Sequence, residues 1–340
     1  MNLKFCMIGC GGHAYTAHGP AQQTVARNLP GFQLAACCDR DPVRAATYAR
    51  DYGFARHYTD IDTMLAREQP DAVALVLPVE IVCEIAAPLL ARGVPLLLEK
   101  PPGLNREELE QLIAAAETGG APHLVGFNRR FMPIIARARE LLDTEFIRDE
   151  PRQITYELIR FNRRDPDFST TAIHGLDTGL FLAGSPFKTA RMGRNPLPHL
   201  GPNVASLWME AECVSGTRLR WNMNPVAGLI TERIAIHGIG RSLLLELPVR
   251  KDDAPGSLSF WRNDREILRE AFTPPDQEGF AQETAAFAES LVTGNPTGPH
   301  LCDCRQQIDL MEALRAQRPA IQWQTETTPT SALEKPLSSR

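Results

Sequence analysis

The first 126 residues alternate short apolar segments with amphipathic helical segments, and this alternation constrains the fold more than any other feature of the sequence. The apolar segments KFCMIG, FQLAACCD, DAVALVLP, VPLLLEK and PHLVGF contain few polar side chains. Strands that are apolar on both faces are typical of a parallel sheet with helices packed on each side. We therefore predict an N-terminal α/β domain of this architecture over residues 1–126.

The pattern changes after residue 126. The segments RQITYELIRF, SLWMEAECVSGTRLRWNM and ERIAIHGIGRSLLLEL alternate polar and apolar residues and turn at Ser-Gly or Gly-x-Gly, which is typical of antiparallel strands. The helical segment TTAIHGLDTGLFLAG lies within this half of the chain. We predict an α+β domain with an open, largely antiparallel sheet over residues 127–324. Residues 325–340 are rich in Thr, Ser and Pro and are predicted to be disordered.

Length and composition exclude several classes of function. A chain of 340 residues is too long for one ordinary core, which agrees with two domains. A net charge of −5 gives no electrostatic case for nucleic acid, and no apolar stretch approaches the roughly 20 residues of a membrane span. The eight cysteines lie mostly in apolar segments, so we expect free thiols in a reducing cytoplasm. The segment HLCDC (300–304) is too weak a pattern to predict a metal site, and none is expected.

A glycine-rich loop follows the first predicted strand. In MIGCGGHA, Gly9 suits a tight turn, Gly11 allows backbone N–H groups to approach a pyrophosphate, and Ala14 suits close helix–strand packing. Asp39 closes the second strand and can accept hydrogen bonds from the ribose of NAD, while Arg40 beside it weakens discrimination against NADP. We predict dinucleotide binding, with NAD favoured and NADP as the alternative. The predicted cofactor contacts are Gly9, Gly11, Gly12, His13, Ala14, Asp39, Arg40, Pro78, Glu99 and Lys100.

The stretch PLLLEKPPG places Glu99 and Lys100 at the end of a buried strand, before two prolines. Ligands of open α/β sheets bind outside the carboxyl ends of the strands, so a lysine there can hydrogen-bond a reacting oxygen. The other interpretation is an ordinary surface lysine. The bond between Lys100 and Pro101 is also a candidate for a cis peptide. The same triplet recurs at 334–336, but it follows no strand there.

These elements together resemble the Gfo/Idh/MocA oxidoreductases, named for glucose–fructose oxidoreductase and inositol dehydrogenase. The resemblance extends over residues 3–323 and includes the glycine-rich loop, the Glu-Lys-Pro triplet, GFNRRF (126–131) and IHGLDTGLFLAG (173–184). It implies a Rossmann domain, a bound NAD(P), and a second domain whose sheet joins subunits into a dimer or tetramer. It also implies that Lys100 contacts substrate and nicotinamide, and that His174 is the acid/base.

Candidate substrate contacts follow from the same segments. His174 and Asp177 lie three residues apart, on one face of a predicted helix. Asn128 and Arg130 lie where the first domain leads into the second, and either they line the cleft or they form an interdomain hydrogen-bonded pair. The loop RFNRRDPDF (160–168) is open to two interpretations, a site for a carboxylated or phosphorylated ligand or a solvated loop.

Two departures from the family pattern affect the predicted activity. Thr170 stands where many members have an Asp one turn before the histidine, and Val79 and Val82 replace polar residues of the loop after Pro78. The expected function is hydride transfer between NAD(P) and a secondary alcohol or ketone of a sugar, sugar derivative or cyclitol. A catalytically weak NAD(H)-binding sensor is the alternative, and a reductase of C–C double bonds or dihydrodiols that retains Lys100 is a third.

Overall fold

The first sheet is built from the N-terminal part of the chain. A computed structural model describes residues 2–165, 168–202, 204–249, 254–273 and 277–324, so the tail predicted to be disordered lies outside the described residues. The strands are β1 (Leu3–Ile8), β2 (Phe32–Cys38), β3 (Arg56–Tyr58), β4 (Ala72–Leu75), β5 (Leu96–Glu99) and β6 (His123–Gly126). In this described part all six pair in parallel, in the order β3-β2-β1-β4-β5-β6. This doubly wound order confirms the predicted parallel sheet.

Helices connect these strands, and capping residues mark their ends. The helices are α1 (Gly19–Asn28), α2 (Pro42–Tyr52), α3 (Ile61–Glu68), α4 (Val79–Ala91) and α5 (Arg106–Gly119). The Asp41 carboxylate caps α2 by accepting hydrogen bonds from two backbone N–H groups, and the Asn105 side chain caps α5. Gly53 ends α2 with a left-handed φ of 83°. These caps satisfy backbone groups that a helix terminus otherwise leaves without partners.

The second sheet is formed by the rest of the chain. Its strands are β7 (Gln153–Ile159), β8 (Phe187–Pro196), β9 (Ala205–Cys213), β10 (Arg218–Asn224), β11 (Thr231–Gly238), β12 (Arg241–Glu246), β13 (Gly256–Arg262), β14 (Arg265–Phe272) and β15 (Ala320–Gln322). Among the described residues they are ordered β14-β13-β12-β11-β7-β10-β9-β8-β15. Only the β7–β10 pair is parallel in this described sheet, so the predicted, largely antiparallel arrangement is confirmed.

Four further helices accompany this sheet, and one of them reaches back to the first. They are α6 (Pro133–Thr144), α7 (Ser169–Ala183), α8 (Phe280–Thr293) and α9 (Arg305–Arg315). Phe287 and Ala288 of α8 are buried in the same apolar cluster as Phe5 and Leu97 of the first sheet. The chain therefore returns to the first sheet after β14, before β15 completes the second sheet. No helix in the described ranges is long and apolar enough to cross a bilayer.

Helix α7 packs directly against the second sheet at two glycines, where the absence of a side chain leaves room for residues of β10. A Cβ atom at Gly175 would lie 2.2 Å from the indole Nε1 of Trp221 on β10, and one at Gly179 would lie 2.8 Å from the Leu219 side chain. Trp221 is itself fully buried. The close packing fixes the height of α7 above the sheet, and α7 carries the candidate residues Thr170 and His174.

We predict that Gly175→Ala destabilises the protein by about 1–3 kcal/mol, because the added methyl overpacks against buried Trp221. Chemical unfolding in urea measures this change. Gly228→Ala is the matched control, since Gly228 is exposed and a Cβ there would meet nothing within 4 Å. Equal stability of the two variants would show that α7 does not depend on this contact.

Candidate active site

The loop after β1 is shaped by Gly9. Its φ is +90°, and a Cβ atom there would lie 2.1 Å from the carbonyl oxygen of Val76, so only glycine fits. At Gly11 and Gly12 a Cβ would meet nothing within 4 Å, and both residues line a cavity of about 490 Å³. The loop thus presents open backbone to a cavity, which fits the close approach that a pyrophosphate requires.

Asp39 holds this loop against the second strand. Its carboxylate accepts hydrogen bonds from the backbone N–H of Cys10 at 2.8 Å and of Asp41 at 2.9 Å. A carboxylate has about four lone-pair positions, so these two bonds leave acceptor capacity for ribose hydroxyls. Asp39 and Arg40 are not among the described residues that line the cavity, and they lie at the end of the adjacent strand.

Glu99 joins the glycine-rich loop to the predicted catalytic lysine. Its Oε1 atom lies 3.1 Å from Nε2 of His13 and 3.0 Å from Nε2 of His18. Burial alone would raise the pKa of Glu99, but neighbouring Lys100 and the two imidazole hydrogen bonds hold it well below the usual value. Glu99 is therefore a buried anion that accepts from both histidines.

A π-helical turn brings the two histidines to the same carboxylate. His13 and His18 are five residues apart, and in an α-helix such residues lie about 140° apart around the axis. Residues Ala14–His18 instead form a π-helix, whose hydrogen bonds join residues five apart. The sequence placed His13 among the predicted cofactor contacts and gave no indication that it shares a carboxylate with His18. A five-residue spacing indicates such a pairing only where the backbone forms a π-turn.

The three groups are close enough together to raise the question of a metal ion. The candidate ligand atoms of His13, His18 and Glu99 all lie within 4.8 Å of one another. However, His18 Nδ1 is buried with no hydrogen-bond partner among the described residues. A metal on Nε2 would require a protonated Nδ1 with its own acceptor, whereas a hydrogen bond from Nε2–H to Glu99 does not. The chemistry therefore favours a hydrogen-bonded cluster.

Lys100 lies between the two layers of the protein. Its side chain is 9% exposed, and its Nζ is 3.7 Å from Glu99 Oε2. Nζ also donates a hydrogen bond to the carbonyl oxygen of Thr170 on α7 at 3.1 Å. Burial lowers the pKa of Lys100, with Arg129 and other cations adding to the effect and Glu99 opposing it. The peptide bond to Pro101 is cis.

His174 lines the same cavity from α7, together with Thr170 one turn earlier. Burial holds the pKa of His174 well below its ordinary value of 6.5, and the charges of Arg129 and Lys100 lower it further. Its Nδ1 atom is buried with no hydrogen-bond partner in the described part of the chain. Thr170 therefore leaves His174 without the carboxylate that would stabilise an imidazolium.

The structure places the other candidate substrate contacts away from the cavity. Arg130 forms a two-point ion pair with buried Asp177, at 2.6 and 2.9 Å, and Gln307 donates to the same carboxylate at 2.8 Å. Asn128 donates to the carbonyl oxygen of Glu278 at 2.8 Å. None of Asn128, Arg130 and Asp177 is among the described residues that line the cavity, and the partners Glu278 and Gln307 also lie after residue 126.

Three arginine side chains line the cavity instead. Arg129, the neighbour of Arg130, lies on the wall with Arg160 and Arg163. The sequence predicted a ligand loop at 160–168 as one alternative, but gave no signal for Arg129. A larger cavity of about 530 Å³, bordered by His123 and His300, includes none of the predicted site residues among its described lining. The smaller cavity is therefore the candidate site.

Comparison with known proteins decides the family. The family model "Oxidoreductase family, NAD-binding Rossmann fold" matches residues 3–127. Inositol 2-dehydrogenase of Corynebacterium glutamicum is 31% identical over 293 residues, which cover 80% of this chain and 82% of that protein. The chain belongs to the Gfo/Idh/MocA oxidoreductase family. The resemblance inferred from the sequence is thereby confirmed, and the protein is an NAD(P)-dependent oxidoreductase of this family.

Solved structures of the family share the fold over nearly the whole chain. UDP-N-acetylglucosamine 3-dehydrogenase from Acidithiobacillus ferrooxidans has a TM-score of 0.79 at 21% identity, covering 93% of this chain and 98% of that one. Levoglucosan dehydrogenase in complex with NADH and L-sorbose also has a TM-score of 0.79, at 17% identity, covering 95% and 99%. At these identities the likeness concerns the fold, which agrees with the two sheets described above.

The buried His174 predicts how stability depends on pH. The pKa of His174 in the folded protein lies below its unfolded value of 6.5. Below about pH 6.5 the imidazole is therefore protonated in the unfolded chain while it stays neutral in the folded protein. The contribution of neutral His174 to the free energy of unfolding is therefore fully present above that pH and is lost as the pH falls further.

We expect His174→Gln to lose less stability than the wild type between about pH 7.5 and pH 5.5 in urea unfolding. His57→Gln, at an exposed position, should behave like the wild type. Parallel loss in H174Q and wild type would contradict the assignment.

Proposed function

We propose that this protein transfers hydride between a nicotinamide cofactor and a secondary alcohol or ketone of a sugar, sugar derivative or cyclitol. The single observation that supports this most is that one cavity of about 490 Å³ is bordered by the glycine-rich loop, Lys100 and His174. The relatives add to it, since they include inositol 2-dehydrogenases and a D-apiose dehydrogenase of Paraburkholderia graminis.

The cofactor-binding residues are proposed from the shape of the loop. Gly11 and Gly12 offer backbone N–H groups beside open space, where a pyrophosphate fits. Asp39 would accept the ribose hydroxyls of NAD and would repel the 2′-phosphate of NADP, so we favour NAD. Arg40 beside it weakens this preference, so NADP remains the alternative. The bound nicotinamide supplies the chemistry of accepting or donating a hydride.

Lys100 is proposed as the principal proton-transfer group. Its lowered pKa brings the neutral amine closer to working pH, and its position at the end of β5 directs it into the cavity. When an alcohol is oxidised, the carbinol carbon loses a hydride, the hydroxyl oxygen loses a proton, and a carbonyl results. Lys100 would receive that proton, and Glu99 beside it would stabilise the resulting ammonium.

His174 is proposed as a second group that contacts the reacting oxygen. It is neutral at physiological pH, which is the correct state to accept a hydrogen bond from a hydroxyl group. Burial and the nearby cations disfavour a full imidazolium, and Thr170 provides no carboxylate to offset them. We therefore assign the larger share of proton transfer to Lys100 and an orienting share to His174.

A catalytically weak NAD(H)-binding sensor is the second candidate. Two observations favour it, the lack of any described hydrogen-bond partner for His174 Nδ1 and the presence of Thr170 at the usual Asp position. The presence of Val79 and Val82 in place of polar residues also favours the sensor. This candidate shares the cofactor site and differs only in turnover.

The second sheet and the cysteines bear on self-association and location. The outer face of the second sheet exposes Leu244 and Ile267, so we propose it as the surface that joins subunits into a dimer or tetramer. All eight cysteines are free in the described structure, which supports a reducing compartment such as the cytoplasm.

We predict that Lys100→Met lowers kcat by at least about 100-fold, because it removes the proton-transfer group, and leaves the Kd for NADH within a few-fold. NADH fluorescence titration measures binding, and absorbance of the nicotinamide with a panel of sugars and cyclitols measures turnover. Lys335→Met is the matched control, since it alters the second Glu-Lys-Pro triplet, outside the described residues.

The outcomes separate the candidates. Turnover in the wild type that is lost in K100M and kept in K335M supports the oxidoreductase with Lys100 at its centre. Binding of NADH without turnover of any sugar or cyclitol favours the sensor. Failure to bind either NADH or NADPH would contradict both.

A further inference from the structure

One wall of the cleft is made of arginines. Arg129, Arg160 and Arg163 line the cavity together with His174, and the charges of Arg129 and Arg160 act on that histidine. Arg163 is 49% exposed, whereas Arg160 is only 12% exposed and lies deeper in the wall. A neutral polyol carries no charge that would pair with three guanidinium groups, whereas a carboxylate or phosphate does.

The arginines are held in place from behind. Glu232 on β11 is 0% exposed and accepts a two-point ion pair from Arg129, at 2.6 and 2.8 Å, together with a hydrogen bond from Arg160. The hydroxyl of Tyr156 donates to the same carboxylate at 2.9 Å. Glu232 does not line the cavity, so a ligand there meets guanidinium groups and not the carboxylate that positions them.

Backbone hydrogen bonds fix the loop that carries Arg160 and Arg163. The backbone N–H of Arg160 donates to Asn224 at 2.8 Å, and that of Arg163 donates to Pro225 at 2.7 Å. Arg163 Nε donates to Asp165 at 2.6 Å. The two guanidinium groups are thus presented on a segment that is bonded to the end of β10, which reduces the entropy lost when a ligand binds.

The guanidinium groups of the wall create a positive field at the candidate catalytic groups, because Arg129 contributes to the lowered pKa of both Lys100 and His174. An anion bound at the wall would offset this field.

We propose that the substrate of this cleft carries an anionic group, a carboxylate or a phosphate, which Arg160 and Arg163 bind while the reacting carbon lies near Lys100. The planar guanidinium presents paired N–H donors that match both oxyanions. This inference rests on the proposed oxidoreductase function and narrows its substrate class. In this proposal the cofactor phosphates are assigned to the glycine-rich loop and the region beside Asp39, and the substrate anion to Arg160 and Arg163.

The test compares matched anionic and neutral probes on the full-length protein. Turnover with NAD is measured for D-glucuronate and D-glucose 6-phosphate against D-glucose, and for myo-inositol 1-phosphate against myo-inositol. Calorimetry then measures binding of D-glucuronate and D-glucose 6-phosphate to the protein saturated with NADH. The two anions distinguish a carboxylate from a phosphate. NADH titration of the same sample tests the proposed function separately.

Variants of the wall supply the controls. Arg163→Gln should lower the ratio of anionic to neutral kcat/KM, or weaken anion binding, by about tenfold, since one charge-assisted hydrogen-bonding group is lost. Arg163→Lys retains the charge and should restore part of the effect. Arg164→Gln alters the adjacent exposed residue, which does not line the cavity, and should match the wild type. Since R163Q leaves the Glu232 cluster intact, misfolding is not expected.

The results decide in either direction. A preference of about tenfold or more for either anion, reduced in R163Q and kept in R164Q, supports the proposal. Where turnover is undetectable, anion binding to the NADH complex that depends on Arg163 supports it equally. Equal or better turnover of the neutral probes, or anion binding that is absent or unchanged in R163Q, overturns the proposal and leaves the oxidoreductase assignment standing if NADH still binds.

Discussion

Glu99 is a buried carboxylate at the carboxyl end of β5, and three parts of the site depend on it. It accepts hydrogen bonds from His13 and His18, and it lies beside the ammonium of Lys100. Removing one partner of such a buried ionic cluster costs about 3–5 kcal/mol, since the remaining charge loses its compensation. The glycine-rich loop and the lysine therefore keep a fixed relation to each other before any ligand arrives.

Lys100 also connects the first sheet with helix α7 of the second domain. Its hydrogen bond to the carbonyl oxygen of Thr170 connects the end of β5 with α7, and α7 lies close to β10 because Gly175 leaves room for Trp221. The relative position of Lys100 and His174 thus follows from backbone packing and one hydrogen bond. Thr170 provides no carboxylate that would raise the pKa of His174, which burial and nearby cations lower.

Much of this architecture could be predicted from the sequence because its signals are local. Continuous apolar strands, the cap at Asn105 and the glycine at position 9 each reflect a backbone requirement that one residue type meets. The position of Lys100 followed from a general rule about strand ends. The domain boundary at 126/127 and the roles of the site residues remain predictions.

Other features depend on contacts that sequence spacing does not contain. A π-turn of one extra residue sets His18 against Glu99, and a short 3-10 turn (Asn128–Phe131) decides that Arg129 lines the cavity while Arg130 pairs with Asp177. Two adjacent arginines are indistinguishable by type, so only the folded backbone separates their roles. Asn128 likewise bonds to the carbonyl oxygen of Glu278 and does not line the cavity.

Hydrogen–deuterium exchange with and without saturating NADH tests whether the dinucleotide lies in the cleft bordered by the glycine-rich loop and Lys100. We expect NADH to slow exchange of backbone amides in three separate segments at once, 11–14, 76–79 and 99–100, which all border this cavity. Unchanged exchange in these segments, or protection confined to the cavity beside His123 and His300, would contradict it.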